Sequence, residues 1–80
     1  MNNEYESNDL CLITTLHYMS VPILRINAKN PKKVIFVFEN SEALAKILSE
    51  YFRSNLLVDP VKFFQTLKIV KSSIYGQQRR

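Results

Sequence analysis

The sequence predicts a small α+β domain built as a helix, an antiparallel β-hairpin and two further helices, with Leu56-Leu57-Val58 as a candidate third strand. Three observations carry this. Val34-Ile35-Phe36-Val37-Phe38 is the longest apolar run, β-branched and aromatic, the pattern of a strand buried on both faces. Around it lie three stretches with apolar residues at helical spacing, each preceded by a Ser or Asp suited to capping. The chain has only 80 residues, enough for one core and no more.

Residues 1 to 6 show no periodicity and are expected to be a disordered lead-in. Ser7 is the expected cap of a helix over about 8–19, in which Asp9 opposes the positive end of the helix dipole. Leu10, Cys11, Leu12, Ile13, Leu16, Tyr18 and Met19 project nearly all round this helix, and a helix apolar on all sides is buried on all sides. An 80-residue chain is expected to cover about two of its flanks, which assigns Leu12, Tyr18 and Met19 to an oligomer interface.

Val21 to Ala28 reads as a strand that opens at Pro22, a residue suited to an edge because it has no amide to donate. Lys29-Asn30-Pro31-Lys32 is the turn, with Arg25, Lys29, Lys32 and Lys33 near the tip and edge of the hairpin. A two-stranded hairpin is marginal in water, so the Val34 strand needs a third neighbour from this chain or from a second molecule.

Asn40 or Ser41 caps the next helix, whose Leu44, Ile47, Leu48, Tyr51 and Phe52 form one apolar stripe opposite Glu42, Lys46, Glu50 and Arg53. Asp59-Pro60 opens the last helix, with Val58 and Phe63 at the spacing of a hydrophobic staple. Its inner stripe is Phe63, Leu67, Val70 and Ile74, and Gly76 is expected to stop it. The domain therefore spans 7–76, with 77–80 a basic tail.

These segments together resemble a family of small phage and bacterial proteins catalogued as a domain of unknown function. The residues that carry the resemblance are Ser7-Asn8-Asp9-Leu10, the Val34 to Glu39 strand followed by Ser41-Glu42, Val58-Asp59-Pro60 with Phe63 or Phe64, and Lys71-Ser72-Ser73-Ile74-Tyr75. It covers about residues 7 to 75. Relatives often have Gly where the first helix meets the first strand, whereas Met19-Ser20-Val21 stands here. The resemblance implies a compact helix, hairpin, helix, helix domain and transfers no activity.

Catalytic chemistry finds little support. Cys11 is the only cysteine and His17 the only histidine, so no disulfide and no Cys/His zinc site forms within one chain, and no cofactor or metal is expected. The two are six residues apart, about 240° of turn around one helix, so they point to different sides and cannot form a thiolate–imidazole pair. Cys11 is expected to be a small buried apolar residue, and His17 a residue at the edge of the core. Glu42 and Glu50 sit about 12 Å apart along their helix, beyond glycosidase spacing. A single glycine excludes a phosphate-cradling loop. The protein is expected not to be an enzyme.

Charge points elsewhere. The formal net charge is +4, but residues 1–20 carry three acids and no Lys or Arg, while residues 61–80 carry Lys62, Lys68, Lys71, Arg79 and Arg80 and no acid. Such asymmetry suits either a polyanionic partner or a solubilising tail. On the last helix Phe64, Lys68, Lys71 and Tyr75 project within about 60° of one another. Cations interleaved with aromatics can hold phosphates and stack on bases; alternatively Phe64 and Tyr75 widen the buried stripe and the lysine stems lie along it. The Lys33 to Phe38 strand distantly resembles the basic-aromatic strand of RNA-recognition sheets, unless Phe36 and Phe38 are simply core.

The expected function is thus a non-enzymatic accessory module contacting DNA or RNA through phosphates, with Lys68, Lys71, Phe64, Tyr75, Arg79, Arg80, Lys32 and Lys33 as its binding residues. The alternative is a protein-interaction or oligomerisation adaptor working through the first helix or a hairpin edge. A homodimer or protein partner is expected in either case. No secretion signal is visible and no apolar run approaches the roughly 20 residues of a membrane span, which predicts a cytoplasmic setting without a membrane partner.

Overall fold

The structure, a computed structural model that describes residues 3–78, is an α+β fold with the order β1 (Glu4–Ser7), α1 (Leu10–Tyr18), β2 (Ile23–Asn27), β3 (Ile35–Glu39), α2 (Glu42–Phe52) and α3 (Pro60–Gln78). The strands form one antiparallel sheet in the order β1-β3-β2, so the apolar Val34 to Phe38 run supplies its central strand.

The third strand is not where the sequence places it. Glu4–Ser7 is no lead-in: Tyr5 pairs with Phe38 and Ser7 with Phe36, closing the free edge of β3. On the other side Ile23 pairs with Phe38 and Ile26 with Phe36, with an irregularity at Leu24. Both edges of β3 are then occupied. Leu56-Leu57-Val58, although it alternates half-buried, exposed, half-buried as a strand does, has no edge of β3 left to join and runs as an unpaired strap.

The sheet divides its side chains by alternation. Phe36 and Phe38 point into the core with Leu12, Ile13, Leu16, Val21, Val34, Leu44 and Val70. Every helix contributes to that one cluster, so α1, α2 and α3 all lie on the Phe36/Phe38 face. The opposite face carries Glu6, Arg25, Asn27 and Glu39, all exposed, around Val37.

The middle of helix α1 is enclosed within a single chain. Leu12, Ile13, Thr14, Thr15 and Leu16 are buried in unbroken succession. The Thr14 and Thr15 hydroxyls donate to the carbonyls of Leu10 and Cys11 one turn back, so neither polar group is left unsatisfied. Asp9, not Ser7, is the cap: its carboxylate accepts from the amides of Cys11 and Leu12, while Ser7 Oγ accepts from the amide of Asp9. Cys11 is exposed rather than buried, because it sits in the first turn on the side away from the core.

Helices α1 and α2 end alike. Ser20 and Ser54 take left-handed φ of 65° and 59°, and the next residue's amide reaches back six residues' span, Val21 to the carbonyl of Leu16 and Asn55 to that of Glu50. These are Schellman closures, with serine in the place glycine usually takes. At the first of them Val21 also packs in the core cluster with Leu16, the apolar contact that accompanies the motif. In α2, Ser41 is the cap and Leu44 its buried anchor, but Phe52 is 70% exposed and meets Tyr51 edge-on instead of extending the core stripe.

Candidate nucleic-acid interface

Helix α3 is pinned at its start. Asp59 Oδ1 accepts from the amides of Val61 and Lys62 at 2.9 and 3.2 Å, and its carbonyl accepts from the Phe63 amide at 2.8 Å. Pro60, in the first turn, has no amide to leave unpaired. The Asp59 amide in turn donates to the Tyr18 hydroxyl at 3.0 Å, and the Tyr18 and Phe63 rings lie 5.9 Å apart. From there α3 packs along α1 through Phe63, Leu67, Val70 and Ile74, of which Val70 is fully enclosed. It does not stop at Gly76 but continues to Gln78. A glycine costs a helix only about 1 kcal/mol, and a stop needs a left-handed residue that Gly76 does not supply.

That inner stripe sets the outer face. Phe64 and Tyr75 are 55% and 57% exposed, so they do not widen the buried stripe. Lys68 and Lys71 are exposed beside them, and the Lys68 ammonium sits 4.8 Å from the centre of the Phe64 ring. A cation–π contact at an exposed site is worth about 0.5–1 kcal/mol, weak enough to be exchanged for a phosphate. No acidic residue occurs between Pro60 and Gly76, so the two ammonium groups have no carboxylate of their own helix to pair with. Val61, 65% exposed, and Ser72 flank this group, about 20° and 40° beyond Lys68 in helical projection.

The other expected binding residues belong to other segments of the chain. Lys32 and Lys33 are exposed in the β2–β3 loop, shaped by Asn27 Oδ1 accepting from the Lys29 amide and Asn30 Oδ1 from the Lys32 amide. Lys33 lines a small cleft with Glu6, Ser7, Asn8 and Ile35. Arg79 and Arg80 lie outside the described residues. Phe36 and Phe38, at 1% and 0% exposure, are core, so the sheet offers no base-stacking aromatics there.

The residues assigned to an oligomer interface find partners inside the chain. Leu12 is 4% exposed in the core, Met19 packs against it, and Tyr18 holds the start of α3. One chain encloses α1 because three elements reach it, the sheet, α2 and α3, where two flanks were expected.

A cleft of about 280 Å³ lies between α1, the end of α2 and the strap, lined by Thr15, Tyr51, Ser54, Leu56, Val58 and Phe63. It falls just below the range of small-molecule pockets. Its one titratable group is Tyr51, whose phenol is pushed well above its ordinary value, first by its hydrogen bond with the Cys11 thiol and then by burial. A phenol held protonated cannot serve as a base near neutrality.

Residues 2–76 match a domain of unknown function, DUF5659. The chain belongs to this family. The match takes in β1, which the expected span of 7–76 leaves out, so the DUF5659 domain includes the whole three-stranded sheet. No curated protein matches the chain, and neither does any solved structure. Among the described residues of this DUF5659 chain no helix is long and apolar enough to cross a membrane.

Proposed function

We propose that this DUF5659 domain is a non-enzymatic accessory module that contacts nucleic acid through the outer face of α3. The observation that carries the reading is the exposure of Phe64 and Tyr75 beside Lys68 and Lys71 on a helix face without acids. Lys68 and Lys71, with Arg79 and Arg80 following in the sequence, attract phosphates irrespective of base sequence, and such binding weakens steeply with salt. Lys32 and Lys33 add a second basic element at the hairpin loop. A phage or bacterial source and a cytoplasmic setting belong to the same reading.

Titration against fluorescent single-stranded and duplex oligonucleotides at two salt concentrations tests it. Wild type binds and loses affinity at the higher salt, and Lys68→Glu with Lys71→Glu abolishes binding while leaving the circular dichroism unchanged. A double variant that binds as well as wild type removes the reading.

A second reading, a protein-interaction or dimerisation module, is supported by Phe52, Leu57 and Val61, exposed by 70%, 92% and 65%. Of the first helix, Leu12, Ile13 and Leu16 are packed in the core, so exposed apolar residues elsewhere carry this reading. Light scattering coupled to size exclusion measures self-association, and a monomer mass at high concentration removes the dimer.

A further inference from the structure

Resting on the nucleic-acid reading above, we infer that the preferred ligand of α3 is a single strand with unpaired bases, for which Phe64 and Tyr75 are stacking platforms and Lys68 and Lys71 the phosphate contacts between them. Duplex binding needs cations alone. It gives no account of two large aromatic rings standing more than half exposed on the same face as those cations. Stacking does, because bases released from pairing present π-faces to any ring of suitable exposure.

The spacing fits such a strand. Phe64 and Tyr75 are eleven residues apart, a rise of about 16 Å along the helix, with Lys68 and Lys71 at intermediate levels. The order along the face is aromatic, cation, cation, aromatic, which sets two phosphate contacts between two base contacts, the two kinds of group that a single strand offers. Lys68 already rests over the Phe64 ring, so its ammonium lies within reach of a phosphate attached to a base stacked there. Ser72 adds a hydroxyl one turn beyond Lys68 on the same side. The charge selects a polyanion, and the rings select one with accessible bases.

The test compares three probes of equal length at one salt concentration: a thymine single strand, the same backbone made abasic, and a duplex. Fluorescence anisotropy of the whole chain should give at least tenfold tighter binding to the thymine strand than to either of the others. Phe64→Leu with Tyr75→Leu should reduce thymine-strand affinity to the level of the abasic strand. Both positions are exposed, and an unchanged melting midpoint confirms that the variant is folded. Equal, salt-sensitive affinity for all three wild-type probes overturns this inference and leaves the phosphate-binding reading standing. No binding to any of them, or binding only to vesicles rich in anionic lipid, overturns both.

Discussion

The guanidinium of Arg25 on β2 grips the carboxylate of Glu4 on β1 through two hydrogen bonds of 2.7 Å, spanning the central strand between them. Beneath the pair lies Val37, only 1% exposed although it is on the face of the sheet that no helix covers. The arginine stem and the ion pair act as the missing layer.

Arg25→Ala should therefore lower the urea midpoint by uncovering Val37, while Arg25→Leu, which keeps apolar cover without charge, should lower it less. Equal loss in both would assign the effect to the ion pair alone.

The ion pair has its own signature in pH. Hydrogen bonding and charge from Arg25 hold the Glu4 carboxyl below its ordinary value of 4.5. A carboxyl depressed in the folded state stabilises above the unfolded value and loses that contribution as pH falls through the folded value. Between pH 7 and about pH 3 the wild-type midpoint should fall further than that of Arg25→Leu. Parallel falls would show that the bridge contributes nothing measurable, as exposed pairs often do.

Ser20 and Ser54 occupy left-handed backbone at the two helix ends. Ser20→Gly and Ser54→Gly should each stabilise by a few tenths to about 1 kcal/mol in urea unfolding, the relief of Cβ crowding less the entropy of a freer unfolded chain. Ser20→Val should destabilise, since branching at Cβ is least tolerated there.

The start of α3 depends on two linked groups. Asp59→Ala removes the cap of Val61 and Lys62 and should cost about 1 kcal/mol. Tyr18→Phe removes the acceptor for the Asp59 amide and should cost about 0.5–1 kcal/mol. Because both anchor the same turn, the double variant should lose less than the sum, measured by a double-mutant cycle.

Among the described residues of α3, Val70 is the one that is fully enclosed. Val70→Ala should cost about 2 kcal/mol, a large share of what a core this small supplies, and should speed proteolysis in the 54–59 strap as the helix detaches. A variant with wild-type cleavage and midpoint would show that α3 is held by its start alone.

Local signals announced most of these elements. The five-residue apolar run is the central strand, Ser41 and Asp59 cap where their side chains can reach the first free amides, and the Phe63, Leu67, Val70, Ile74 stripe faces inward as its spacing requires. The need for a third strand was equally legible, because a run apolar on both faces cannot stay unpaired. Its identity was not: Glu4-Tyr5-Glu6-Ser7 offers one large apolar side chain, less than Leu56-Leu57-Val58 offers.

Chain order and composition by themselves determined the fold class, the central strand, the caps of the last two helices and the basic, acid-free last helix, because each depends on residues within a few positions of one another. Only the tertiary structure decided which segment closes the sheet, that α1 is enclosed within one chain, and that Phe64 and Tyr75 face outward. Those outcomes depend on which partner occupies an edge or a flank first, a competition between distant segments that no local pattern records. Val37 is the sharpest instance: it is buried on the face without a helix, in register with Arg25, which is joined to Glu4 21 positions away, a pair that only the β1-β3-β2 order brings together.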